Sequence, residues 1–99
     1  MTRNALIDQI ISAAPALRAQ GVAALFLFGS HARDEARPDS DIDIFIDPDE
    51  THTFGFDRFM DSYEALKAAL PGYEIGFSTR EGIDKYVRPA VEREALKIF

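Results

Sequence analysis

The residues best suited to chemistry are two acids, Asp41 and Asp43, which alternate with apolar residues in the run D-I-D-I-F-I. Side chains two apart on a strand point to the same face, about 6.5 Å apart along the chain. Two carboxylates held side by side repel each other unless a cation lies between them. The pattern therefore predicts a divalent cation site on one face of a strand.

A Gly-Ser pair, Gly29-Ser30, closes an apolar run a short distance before the two acids. The pair is expected to open a short polar helix, and the free N–H groups at the start of a helix suit a phosphate. A divalent cation beside a phosphate-binding turn is the minimum equipment for phosphoryl or nucleotidyl transfer. Together the two motifs indicate that class of reaction.

Length and composition indicate one domain, spanning 1–99. With 99 residues and 46% hydrophobic content, the chain can bury a small but real core. It has no cysteine, which excludes a disulfide framework and a thiolate metal site. No apolar run approaches the ~20 residues of a membrane span, and the first residues lack the apolar segment of a signal peptide. We therefore expect a cytoplasmic protein with no membrane segment.

The charge is acidic and unevenly spread. The net charge of −6 argues against general binding to nucleic-acid backbones, which needs a basic face. Eight acids lie between Asp34 and Glu50, against Arg37 as the one basic residue. Within that stretch, Asp47, Asp49 and Glu50 are interpreted as a solvated acidic loop. The acid excess around the motif predicts a basic protein partner rather than free RNA or DNA.

Hydrophobic periodicity gives the elements that must position these residues. Apolar positions at helical or alternating spacing, bounded by Pro and Gly, define each segment. The predicted elements are a helix at 4–13, a strand at 22–28, a helix at 30–36, a strand at 41–46, a helix at 55–70, a strand at 73–78 and a mostly helical segment at 79–99. The order α-β-α-β-α-β-α predicts an α/β (α+β) domain with a small mixed sheet of about three strands flanked by helices.

The motif region resembles a known family. Gly29-Ser30-His31-Ala32-Arg33, followed by Ser40-Asp41-Ile42-Asp43, is similar to the signature G-S-x-A-R-G-x5-S-D-x-D of the DNA-polymerase-beta-like nucleotidyltransferases. More narrowly it resembles their minimal members, of which the antitoxin of the HEPN/MNT toxin–antitoxin pair is the best-known kind. The order of elements agrees as well, so the resemblance covers nearly the whole chain and implies the nucleotidyltransferase fold.

The resemblance implies nucleotide-binding roles at four positions. Gly29 would let the backbone approach the triphosphate, and Ser30 would hydrogen-bond a phosphate oxygen. Arg33 would support the phosphates or the loop; the residues alone leave open a structural ion pair instead. Ser40 belongs to the same nucleotide-binding motif.

The resemblance also implies a reaction and a metal. Asp41 and Asp43 would be catalytic and would hold Mg²⁺, which prefers one or two carboxylates together with substrate phosphates. The substrate would be a nucleoside triphosphate such as ATP. The nucleotidyl group, AMP in that case, would pass to a hydroxyl of a partner protein such as a HEPN toxin, and the chain would act as an antitoxin. A homo-oligomer is left open.

The chain departs from the family pattern in two places. Asp34 stands where the family usually has Gly after Arg33. Family members also carry a third carboxylate on the next strand, and an alignment on Thr79-Arg80-Glu81 places Gly76 at that position. Glu74, two residues earlier on the same face, is the candidate for the third catalytic acid. Weak activity is therefore expected, and a nucleotide-binding or protein-interaction module that has lost the chemistry stays open.

A remote alternative is an EF-hand calcium loop. Asp39, Asp41, Asp43 and Glu50 match positions 1, 3, 5 and 12 of that loop. Position 6, which needs Gly for a sharp turn, is here the β-branched Ile44.

A serine hydrolase is weaker still. Ser30 lacks the G-x-S-x-G elbow, and the residues that could act as its base are His31 and His52.

Overall fold

Ten elements follow one another in the computed structural model, which describes residues 2–51 and 53–99. They are α1 (Arg3–Ser12), α2 (Ala14–Ala19), β1 (Val22–Phe28), α3 (Gly29–Ala32), β2 (Ile42–Pro48), α4 (Phe56–Ala69), β3 (Ile75–Thr79), a 3-10 turn (Arg80–Gly82), α5 (Arg88–Glu94) and β4 (Leu96–Lys97). The mixed α/β architecture confirms the predicted fold class, and β1 has the predicted bounds.

The strands form one mixed sheet in the order β3-β2-β1-β4. β1 is antiparallel to both of its neighbours, whereas β2 and β3 are parallel. The register places Asp43 of β2 between Phe28 of β1 and Gly76 of β3. The strand that carries the acidic motif is therefore internal, and the Gly-Ser turn follows directly from the strand beside it.

One face of the sheet holds the hydrophobic core. Ile42, Ile44 and Ile46 alternate along β2 and are completely buried against the helices of that face. The other members of this core cluster that are at most 1% exposed are Leu6, Ile10, Leu17, Leu25, Leu27, Leu66 and Leu70. Because strand side chains alternate, the other residues of β2 point to the opposite face. This alternation places Asp43 on the face opposite the core cluster.

An arginine secures part of that opposite face. Arg80 donates two parallel hydrogen bonds of 2.8 Å to the carboxylate of Asp47 and a third to Glu92 of α5. Its guanidinium carbon also lies 4.9 Å from the ring centroids of Phe26 and Phe45. The interpretation of Asp47 as a solvated loop residue is therefore wrong, because its carboxylate joins the sheet to the 3-10 turn.

The C-terminal segment differs most from the prediction. Residues 79–99 were expected to be mostly helical and the sheet to have about three strands, but Leu96–Lys97 forms a fourth strand against β1. Two further hydrogen bonds join Leu25 to Ile98 and Phe99. Pro89 lies in the first turn of α5, as its missing N–H allows.

The helix after the Gly-Ser pair is also shorter than the predicted 30–36. It ends at Ala32, and Asp34 adopts a left-handed conformation with φ of 59°. This is the position at which the family pattern has Gly. Asp tolerates the left-handed region better than most residues do, so it can take this conformation without Gly.

The EF-hand alternative loses its structural basis. Residues 39–50 contain strand β2, so they do not form the calcium-binding loop of an EF-hand. His52, named above as a base for a hydrolase, lies outside the described residues. Within the two described segments, no helix has the length and apolarity needed to cross a bilayer.

Candidate active site

The carboxylate of Asp43 lies between two glycines, Gly29 at the start of α3 and Gly76 of β3. Gly29 has φ of +74°, and a Cβ built on it would collide with the Asp43 side chain. A Cβ on Gly76 would come 2.8 Å from Asp43 Oδ1. Gly29 therefore cannot carry a side chain without moving Asp43, whereas at Gly76 the close atom is the free end of the Asp43 carboxylate.

The surroundings of Asp43 disfavour the ionised form of its carboxyl group. Its pKa is raised, first by burial and then by the negative charge of Asp41. Asp41 is exposed and immediately precedes β2, which begins at Ile42, one residue later than predicted. The charge of Asp41 thus disfavours the charge of Asp43, and a cation between the two carboxylates would offset both the cost of burying that charge and the repulsion.

The Gly-Ser turn carries a second charged arrangement. The backbone N–H of Gly29 donates to Glu94 Oε1 at 3.1 Å, and Arg33 Nη1 donates to Glu94 Oε2 at 3.0 Å. Arg33 Nε also donates to Glu35 at 3.3 Å. The pKa of Arg33 is raised by these two carboxylates, Glu94 first. Two groups predicted to contact phosphate are therefore bound to an anion within the molecule.

The two serines of the motif occupy different positions. Ser30 is partly buried in the first turn of α3, next to Gly29. The Ser40 hydroxyl accepts a hydrogen bond of 2.8 Å from the N–H of Arg37, and the Ser40 carbonyl lies 3.3 Å from His31 Nε2. Ser40 thus braces the turn that leads into β2.

Glu74, the candidate third acid, lies one residue before β3. Its carbonyl accepts a hydrogen bond of 2.9 Å from the N–H of Ile42, and the residue is exposed. Since Ile75 is buried on the core face, alternation directs Glu74 and Gly76 to the face that carries Asp43. Among the residues that the structure describes, no three acidic or histidine side chains form a ready metal-binding group.

The residues present nevertheless fit Mg²⁺. This ion commonly takes one or two protein carboxylates and completes its octahedron with water and substrate phosphates. Asp41 and Asp43 supply that number, and the pKa of Asp43 is raised by burial first and by the charge of Asp41 second. The donor set suits an ion that binds together with a nucleotide.

An open aromatic cavity of about 320 Å³ lies elsewhere, between the start of α4 and the end of β3. Phe56 lines this cavity and is 76% exposed, so it is not among the buried residues of α4. The neighbouring Phe59 does pack, with its ring stacked on Phe77 at 4.8 Å between centroids. The acidic pair is not part of this cavity.

Glu94 is the site residue that the sequence did not indicate. It stands 65 residues after Gly29, in a run of charged residues typical of a solvated helix. No local motif marks it. Only the return of α5 to the start of α3 reveals the contact.

The sequence of this chain is similar to those of known nucleotidyltransferases. A family model described as a nucleotidyltransferase domain matches residues 7–98. Protein adenylyltransferase MntA of Thermococcus cleftensis is 31% identical over 78 residues, which are 79% of this chain and 76% of that protein. A Methanocaldococcus jannaschii protein, provisionally named protein adenylyltransferase MJ1379, is 32% identical over 78 residues, 78% of this chain and 77% of its own.

Solved structures agree on the fold. A protein provisionally identified as a minimal nucleotidyltransferase superimposes with a TM-score of 0.79 and 28% identity, over 97% of this chain and 95% of its own. A toxin–antitoxin structure with AMP-PNP superimposes with a TM-score of 0.70 and 19% identity, over 94% of this chain and 72% of that one. By fold, motif and relatives, the chain belongs to the nucleotidyltransferase domain family and is a nucleotidyltransferase of the minimal type.

Proposed function

We propose that this chain transfers AMP from ATP to a hydroxyl group of a partner protein, in a reaction that depends on Mg²⁺. The observation that carries the proposal is the acidic pair Asp41 and Asp43 beside the Gly29 turn. The names of the two relatives, both protein adenylyltransferases, support a protein acceptor.

The proposed step is a substitution at phosphorus. The acceptor oxygen attacks the α-phosphorus of ATP and forms the new P–O bond. The bond from that phosphorus to the bridging oxygen breaks, and pyrophosphate leaves with the electron pair. The hydroxyl proton passes to solvent. When bound, Mg²⁺ neutralises charge on the phosphates and on the leaving group.

The protein's own residues bind and orient the triphosphate. Asp41 and Asp43 hold the metal, while the Gly29 N–H, Ser30 and Arg33 take the phosphate oxygens. Charge-assisted hydrogen bonds of this kind are stronger than neutral ones and fix geometry as well. Ser40 contributes by holding the turn that sets the position of Asp41.

The proposed acceptor is a HEPN-type toxin in the cytoplasm, and the chain would be its antitoxin. The toxin–antitoxin structures among the structural neighbours motivate this assignment. The acid excess around the motif would steer a basic partner and make association dependent on salt.

A second candidate is favoured by one observation. Gly76 stands beside Asp43, where the resemblance implies a third carboxylate. A chain without that acid could bind nucleotide and partner and yet transfer slowly or not at all. This candidate is an interaction module on the same fold.

Calorimetric titration with Mg-ATP tests the site. Asp43→Asn should abolish most of the metal-dependent affinity, whereas Asp39→Asn, which changes an exposed acid in the turn before β2, should leave it unchanged. Equal affinity in wild type and Asp43→Asn would contradict the assignment. Transfer of labelled AMP to a co-expressed HEPN protein then separates the enzyme from the interaction module.

A further inference from the structure

Glu94 binds two separate groups of the Gly-Ser turn with its two carboxylate oxygens. One oxygen accepts from the Gly29 N–H at 3.1 Å and the other from Arg33 Nη1 at 3.0 Å. The residue is partly buried and reaches the turn from the last position of α5. The contact links positions 65 and 61 residues apart, so local geometry does not impose it.

A carboxylate and a phosphate make the same demands on these donors. Each is an anion that accepts from a backbone N–H and from a guanidinium through separate oxygens. Since Gly29 has one N–H, a phosphate oxygen and Glu94 cannot both accept from it in this geometry. Nucleotide and Glu94 must therefore compete.

We propose that Glu94 is an internal competitor of the triphosphate, occupying its phosphate-binding groups until nucleotide displaces it. The proposal rests on the function proposed above and adds a residue that sets nucleotide affinity. The apparent affinity for nucleotide equals the intrinsic affinity multiplied by the fraction of molecules in which Glu94 is not bound to the turn.

The structure allows Glu94 to leave without moving α5. Glu92, on the same helix, pairs with Arg80, which is also held by Asp47. That anchor is separate from the Gly-Ser turn. Rotation of one long side chain is therefore enough to free Gly29 and Arg33, and the helix stays on the sheet.

The loss of Glu94 should also reduce electrostatic opposition to nucleotide. Its negative charge acts on Asp43 in the same direction as that of Asp41. An incoming triphosphate meets this charge directly. Glu94→Gln removes this charge and keeps the shape of the side chain, so a change in nucleotide affinity would not come from lost packing.

The test compares Glu94→Gln with Glu92→Gln by calorimetry, using Mg-ATP and inorganic triphosphate as probes. Both variants remove one charge from α5 and one arginine ion pair. Glu94→Gln should bind both probes roughly tenfold more tightly, the size of one charge-assisted hydrogen bond. Glu92→Gln should match wild type.

Unchanged or weaker binding by Glu94→Gln would overturn the proposal and show that Glu94 supports the loop. If wild type shows affinity that depends on Asp43 while Glu94→Gln gains nothing, the proposed function stands and this inference falls. If no variant binds either probe, both fall. A gain for inorganic triphosphate as large as that for Mg-ATP supports competition at the phosphate groups.

Discussion

Asp43 and Gly76 are direct partners in the parallel ladder between β2 and β3, and a Cβ on Gly76 would lie 2.8 Å from Asp43 Oδ1. The backbone of Gly76 has a negative φ, so a side chain there is not opposed by backbone conformation. The obstacle is the free end of one carboxylate, which can rotate. The neighbouring strand therefore comes close to Asp43 without adding a charge to it.

Gly76→Asp should increase transfer activity, because it places a third carboxylate beside Asp43. In metal-free buffer the same change should lower the thermal midpoint through like-charge repulsion. The measurements are labelled-AMP transfer and unfolding with and without Mg²⁺. Gly76→Ala is the control, with a methyl group in place of the carboxylate; equal activity in the two variants would show that charge at this position is irrelevant.

Glu74→Gln should abolish any residual transfer while leaving triphosphate affinity unchanged. Glu74 shares its face with Gly76 but is displaced by about 6.5 Å along the strand. A misplacement of even ~1 Å can cost about a hundredfold in rate, so wild-type turnover is expected to be slow. Fast wild-type transfer that survives Glu74→Gln would mean that the third ligand lies elsewhere.

Asp43→Asn should stabilise the metal-free protein at neutral pH. The pKa of Asp43 is raised in the folded state, so ionising it costs folding free energy. Relative to the variant, the unfolding free energy of wild type should fall as the pH rises from about 4, the ordinary pKa of an Asp carboxyl, through the raised pKa of Asp43. The difference in unfolding free energy between wild type and Asp43→Asn should vanish in acid and become smaller when Mg²⁺ is added. Thermal unfolding in chelator measures it; a variant less stable than wild type at pH 7 would contradict the account.

Arg80→Lys should destabilise the fold by about 1–2 kcal/mol, because lysine loses both the paired hydrogen bonds to Asp47 and the stacking on two rings. Denaturant unfolding gives the number. Arg37→Lys, at an exposed arginine, is the control and should stay within ~0.5 kcal/mol of wild type. Equal effects of the two changes would show that the Arg80 contacts contribute nothing.

Features encoded by neighbouring residues were predictable from the sequence. The apolar run of β1, the Gly-Ser turn and the strand of alternating acids each follow from a local pattern, and the structure confirms the mixed sheet they imply. The strand at Leu96–Lys97 was missed because two residues carry too little periodicity to separate strand from helix. The contacts of Glu94 and Arg80 were missed because each joins distant segments through a single side chain.

The pairing of β1 with β4 has a kinetic consequence. Phe26 pairs with Lys97 and Leu27 with Leu96, so adding β4 to the sheet requires closure of a very long loop. Contacts of this separation slow folding relative to local ones. During synthesis β1 leaves the ribosome long before residues 94–99, and until they arrive one side of its backbone has no strand to pair with. An open edge of this kind is a site for mispairing, so the rate at which β4 docks should limit the yield of native protein at high concentration.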